Sequence, residues 1–173
     1  MSMTTTHPSP SEPLPGRPDL QHYGVSSEPD GLLPWRFADQ QLAAARNYWI
    51  STTRPDGRPH ATPVWGVWLD GALYFGAETR SVKVRNLTAN SALLVHLESG
   101  DDVVILEGEA EWLAAADPAL WARIADDYAA KYDGFRPEPP TAQQPFIVLR
   151  PTKALGWQEK DFVRSATRWR FDR

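Results

Sequence analysis

The stretch LYFGAETRSVKVRNLTAN, Leu73–Asn90, decides the reading of this 173-residue chain. Its aromatic beginning predicts a strand ending near Ala77, followed by a turn through Glu78, Thr79 and Arg80. A short helix is predicted from Ser81, whose hydroxyl can cap the first turn. The free N–H groups and positive dipole end of such a helix favour an anion. Lys83 falls in the first turn, with Arg80 and Arg85 on either side. Cations placed beside exposed amides suit a phosphate. The same residues also read as a solvated basic helix start.

Outward from this stretch the chain reads as short strands separated by turns. Tyr48–Thr53 is β-branched and aromatic and leads into the turn Pro55-Asp56-Gly57. His60–Leu69 and Ala72–Ala77 flank Asp70-Gly71, a strong hairpin signal. Ser91–Leu97 pairs with Val103–Leu113. In the latter, Val104, Leu106, Gly108, Ala110 and Trp112 alternate with Glu107, Glu109 and Glu111, the period of a half-buried strand. Phe146–Arg150, Lys153–Glu159 and Thr167–Phe171 are closing strands. Helices are predicted over Trp35–Arg46, after Pro34, and between the Asp117-Pro118 start and a stop at Gly134. In the second, Trp121, Ile124, Tyr128 and Tyr132 mark one apolar face. Arg136–Gln144 is a Pro-rich loop. The residues therefore predict a mainly β fold, a small barrel with two or three flanking helices.

Composition narrows the function classes. A net charge of -4 gives no long-range attraction for nucleic acid or an anionic membrane, so neither is an expected partner. The absence of cysteine removes disulfides, thiolate nucleophiles and Cys-based metal centres. There is no G-x-S-x-G elbow, HExxH pair, P-loop or G-x-G-x-x-G loop, so no metal site is expected. No apolar run reaches membrane length, and a cytoplasmic location is expected. Residues 1–33 are expected to form a flexible Pro-rich tail, of which 1–20 read as mobile or as an arm on a partner subunit. The folded domain is expected over 34–173. Pro63 cannot donate to a ladder. It marks an edge strand, blunting that edge or giving way to a ligand. Trp65 and Trp68 point to opposite faces, so only one lines a given pocket.

Leu73–Asn90 resembles the flavin-phosphate segment of the pyridoxamine 5′-phosphate oxidase-like proteins, the FMN-binding split β-barrel superfamily, matching at Phe75, Ser81, Lys83, Leu87 and Asn90. YWISTTRPDGRPHATPVWGVWLDG, VKVRNL and ATRWRF are similar to the actinobacterial branch that uses the deazaflavin coenzyme F420. The resemblance spans roughly residues 33–172. It implies a Greek-key split barrel forming a homodimer, with a flavin-type cofactor in each of two grooves. Thr62, Pro63, Val64 and Trp65 would line the ring, and Ser81 and Lys83 would hold the phosphate. Ala77 and Thr79 would add backbone contacts. His60, Val82 and Asn86 complete the implied cofactor-binding set on these two segments, and Trp169 and Arg170 join it from the C-terminal strand. That strand equally reads as one that packs Trp169 into the barrel.

The chain departs from the pyridoxamine phosphate oxidases at several places. Their Arg and Lys on the ring strand fall near His60 and Gly66, their Arg before the phosphate Lys is Val82, and a Gln falls near Val103. These losses speak against oxidation of pyridoxamine phosphate. The expectation is an F420- or FMN-dependent oxidoreductase, with hydride transfer from the reduced deazaflavin to an unsaturated small-molecule substrate. Alternatives are an FMN oxidase or reductase and a non-catalytic cofactor or haem carrier. No catalytic proton donor is indicated, and solvent can serve.

Overall fold

The computed structural model describes residues 12–113 and 117–172. In chain order the elements are β1 (Leu14–Gly16), α1 (Trp35–Ala44), β2 (Asn47–Thr53), β3 (Pro59–Trp65), β4 (Val67–Leu69), β5 (Ala72–Gly76), α2 (Val82–Ala89), β6 (Ala92–His96), β7 (Asp102–Trp112), α3 (Pro118–Lys131), β8 (Phe146–Gln158), α4 (Phe162–Ser165) and β9 (Thr167–Arg170). All pairings are antiparallel, in the order β1-β9-β8-β7-β6-β2-β3, with the β4–β5 hairpin joined to β8 through β5. The fold is a split barrel, mainly β, as expected. Among the described residues four α-helices accompany it, of which α4 is a single turn.

Strand β8 organises the split. β7 runs along one side of it, while its other side carries β5 over Phe146–Leu149 and β9 over Lys153–Gly156. The fork lies at Pro151, which has no N–H for a ladder. There the β7 register steps from Glu107↔Lys153 to Gly108↔Pro151, leaving Thr152 as the extra residue. The sequence at this point suggests two strands, Phe146–Arg150 and Lys153–Glu159, and the chain instead bulges and continues as one.

The predicted strand His60–Leu69 is broken in the opposite sense. Gly66 interrupts it because a side chain from α3's end takes its backbone groups. The Tyr132 hydroxyl accepts from the Gly66 N–H at 2.8 Å and donates to the Arg46 carbonyl at 2.7 Å. Lys131 Nζ donates to the Gly66 carbonyl at 3.2 Å and to the Tyr48 hydroxyl at 2.9 Å. A Cβ at Gly66 would lie 3.0 Å from the Tyr74 carbonyl oxygen, so the site has room only for glycine. The Asp70-Gly71 hairpin forms as predicted, with both residues at positive φ, 51° and 74°.

Residues 12–33 depart from the expected tail. β1 pairs with β9, Val25 is buried, and the Arg17 guanidinium donates to the carbonyls of Glu28, Asp30, Arg164 and Ala166 at 2.6–2.9 Å. One arginine satisfies four carbonyls and fastens a segment too poor in apolar residues to dock by burial alone. The part of the tail expectation that concerns residues 1–11 lies outside the described residues.

The main core gathers Leu42, Ile50, Leu73, Phe75, Leu106 and Trp169 under α1 and α2. A second cluster lies under α3, where Ile124, Tyr128 and Tyr132 meet Tyr74 and Phe146, the stripe predicted from helical spacing. In β7 the alternation holds at Val104 and Leu106 but fails at its end: Trp112 is exposed rather than half-buried, beyond the bulge at Gly108. Among the described residues no helix is long and apolar enough to cross a membrane.

Candidate functional site

Two adjoining features form the site, the start of α2 and a cleft beside the end of β3. The helix begins as the sequence predicts. Ser81 Oγ accepts from Val84 N–H at 3.4 Å, and Arg85 N–H bonds the Ser81 carbonyl at 3.2 Å. A helix leaves its first N–H groups without intrahelical partners, so those of Val82 and Lys83 remain open. Lys83 is half-buried, and among the described residues it has no ion pair. Burial lowers its pKa below the ordinary lysine value.

His60 lies on β3, near enough to Lys83 for their charges to interact. Its Nδ1 is shielded from solvent and has no hydrogen-bond partner. Desolvation, then repulsion from Arg54 and Lys83, lowers the imidazole pKa, which keeps it neutral at pH 7. The Lys83 ammonium and the two open amides are a donor set that fits a phosphate, to which His60 would add a donor in its Nδ1–H tautomer. Asn86 does not belong to it. Its side chain is buried, donates to Thr52 Oγ1 at 2.9 Å, and so ties α2 to β2. Val82 contributes its amide only. Arg80 is turned back onto Glu78 at 3.3 Å, while Arg85 is exposed.

Among the described residues β3 is the edge of the sheet, paired only with β2, and its residues alternate between exposed and half-covered. Pro63 is exposed on it, as an edge proline should be. Thr62 is half-buried, its hydroxyl 3.5 Å from the Pro63 carbonyl. Val64 and Trp65 turn into an open cleft of ≈ 360 Å³. Its opposite wall comes from Gly76, Ala77 and Glu78 at the end of β5, and its floor from Tyr128 and Phe146. Trp68, beyond the break at Gly66, is buried in the main core, its indole N–H donating to Asp39 at 2.8 Å.

The expected backbone contacts from Ala77 and Thr79 are constrained. Ala77 N–H already bonds the Pro145 carbonyl and Thr79 N–H that of Gln143, at 3.1 and 2.9 Å, so neither amide is free to donate to a ligand. Trp169 is a clearer correction. Its ring is fully enclosed, 5.4 Å from Trp35 and packed over Gly156, whose added Cβ would meet it at 2.9 Å. It fills the barrel and covers no groove of this chain. Arg170 is exposed on β9, near the end of the strand order opposite β3.

Sequence reasoning missed the far side of the cleft. Tyr128 reads as plain core, Glu138 and Gln144 as loop, and Phe135 is not singled out, yet all four line it. The available signal was the density of aromatic residues around the Pro-rich loop, since such a loop needs rings to lie on.

The sequence profile of the pyridoxamine 5′-phosphate oxidase family matches residues 36–158, well over half of the chain. The chain belongs to this family. No curated protein matches it. Among solved structures it is similar to an F420 reductase, with 28% identity and a TM-score of 0.52 over 67% of this chain and 94% of that one. A conserved hypothetical protein of Mycobacterium tuberculosis superposes with a TM-score of 0.62 at 21% identity, over 78% of this chain and 90% of that one. A FAD-binding protein of Mesorhizobium loti does so at 0.57 and 18%, over 79% and 95%. The last two likenesses show the fold alone.

Proposed function

We propose that this chain is a flavin-type oxidoreductase that uses the deazaflavin F420, and that it transfers hydride between the reduced cofactor and an unsaturated organic substrate. The observation that carries the reading is Lys83 at the open start of α2, without an ion pair among the described residues, with the partnerless Nδ1 of His60 on a strand close enough for the two charges to interact. Lys83 Nζ and the amides of Val82 and Lys83 would hold the cofactor's phosphate. Thr62, Pro63 and Val64 would lie along its ring. When bound, the cofactor supplies the two-electron chemistry; the protein binds it, orients it and excludes water. The family membership and the likeness to an F420 reductase support the choice. The phosphate cradle serves FMN as well. What favours the deazaflavin, whose tail is acidic, is the exposed Arg85 beside the cradle, a cation the phosphate itself does not need.

A homodimer is part of this reading. The edge of β3, unpaired among the described residues, is a surface that a second subunit would cover. The direct test is titration of the purified protein with F420 and with FMN, followed by fluorescence quenching. Lys83→Ala is expected to weaken the bound cofactor by roughly 1.5–3 kcal/mol, the range for a charge-assisted hydrogen bond. Equal affinities of the variant and the parent protein would mean that the phosphate lies elsewhere.

A further inference from the structure

The cleft beside β3 has a composition that the cofactor reading does not account for. Its walls are aromatic: Trp65 and Phe135 are 45% and 49% exposed, and Tyr128 and Phe146 close the floor. Phe135 meets Trp65 at 68° and Tyr128 at 61°, with centroids 5.7 and 6.3 Å apart, so the rings form a corner rather than a flat stack. The two charged side chains that line it are both acidic, Glu78 and Glu138, and no lysine, arginine or histidine does. Nearby arginines already have partners, Arg46 on the Trp65 wall itself. Arg46 lies over the Trp65 and Tyr132 rings and pairs with Asp133, and Arg136 pairs with Asp126. Glu78 is partly neutralised by Arg80, whereas Glu138 has no ion pair among the described residues.

We infer that this cleft binds planar aromatic cations, such as an N-alkylated nitrogen heterocycle, and that the substrate of the enzyme proposed above belongs to this class. The second clause rests on that proposal; the first does not. Ring faces and edges set at an angle enclose a flat ligand, and their π-faces attract a positive charge. A carboxylate at the rim of an apolar cleft strengthens that preference and repels anions. The volume of ≈ 360 Å³ suits a ligand of two or three fused rings. Val64, Trp65 and Ala77 lie both in the cleft and in the expected ring-binding set, so such a ligand would sit beside the cofactor. A cationic heterocycle is also electron-poor, the property that a hydride acceptor requires.

The test is calorimetric titration of the cofactor-free protein with N-methylquinolinium, with neutral quinoline at pH 8, and with 2-naphthoate. The cation is expected to bind at least tenfold more tightly than quinoline, and naphthoate more weakly than either. Glu138→Gln is expected to shrink the preference several-fold without shifting the melting temperature, and Phe135→Ala to weaken both quinoline and its cation. Equal binding of the two, a preference for naphthoate, or a preference that Glu138→Gln leaves unchanged would overturn the inference. If the cation binds as expected while neither F420 nor FMN does, the cofactor reading falls and the cleft assignment stands. Cofactor binding without discrimination among the three probes gives the reverse.

Discussion

Trp65 and Trp169 lie on strands of one sheet and in segments that both point to cofactor binding, yet the first is 45% exposed and the second fully enclosed. The difference lies in their neighbours. β9 is held between β1 and β8 and roofed by Trp35 of α1, whereas among the described residues β3 has β2 on one side and nothing paired on the other. An aromatic side chain on a doubly flanked strand becomes core. The same side chain on an edge becomes a wall available to a ligand or a partner. The molecule thus has a closed side, where rings pack internally even though the buried Trp169 indole N–H and Arg168 Nε find no hydrogen-bond partner among the described residues, and an open side around β3 and the start of α2.

The largest expected effect tests the closed side. Trp169→Ala removes a fully buried indole over Gly156 and is expected to destabilise the fold by about 3–5 kcal/mol, read from the urea midpoint. Trp65→Ala, measured the same way, should cost less than ~1.5 kcal/mol, since solvent already reaches much of the ring. Comparable losses in the two variants would erase the contrast. A Trp65 loss that grows with protein concentration would instead place that ring in a subunit interface.

How far the sequence revealed these two sides follows from what each depends on. Alternation and turn residues are local, so the strands, the Asp70-Gly71 hairpin and the start of α2 were legible at Tyr48–Thr53, Ala72–Ala77 and Ser81. The interruption at Gly66 was not, because it depends on the hydroxyl of Tyr132, 66 residues away. Arg17 illustrates the same point: its hydrogen bonds to Arg164 and Ala166 span 147 and 149 residues, and no composition count shows them. In the site, the phosphate cradle is one contiguous segment and could be read. The cleft is assembled from β3, β5, α3 and the 136–144 loop, and only folding brings them together.

The two helix starts sharpen the contrast at a smaller scale. Asp117 caps α3 by accepting from Ala119 and Leu120 N–H at 3.0 and 3.1 Å, with Pro118 in the first turn. Ser81 caps α2 through one bond at 3.4 Å. Asp117→Ala is therefore expected to cost about 1–2 kcal/mol of stability, and Ser81→Ala about 0.5 kcal/mol, both from denaturant midpoints. Reversed values would mean that α2, and not α3, has the closed terminus. An added phosphate-bearing ligand should raise the melting temperature of the Asp117 variant as much as that of the parent protein, because the ligand acts at the other helix.

The weakest expected effect concerns the junction between the two sides, where Lys131 reaches Tyr48 and Gly66. Burial is the main cause that moves Lys131 from an ordinary 10.5 down to about 8, with Asp127 partly opposing it. Below pH 8 the amine is charged in both folded and unfolded chains, and it contributes no slope. Between about 8 and 10.5 the unfolded chain holds a proton that the folded chain has released, so stability rises with pH. Tyr48 and Tyr128 act in the opposite sense. Burial raises both well above their ordinary 10.0, so above that pH the unfolded chain loses protons that the folded chain keeps, and stability falls. A shallow maximum near pH 10 is expected in denaturation midpoints, its rise shallow because solvent screens the half-buried amine. Lys131→Met should abolish the rise and leave the fall. If the variant still gains stability between pH 8 and 10, the group releasing the proton is not Lys131, and the amine at Gly66 remains charged throughout that range.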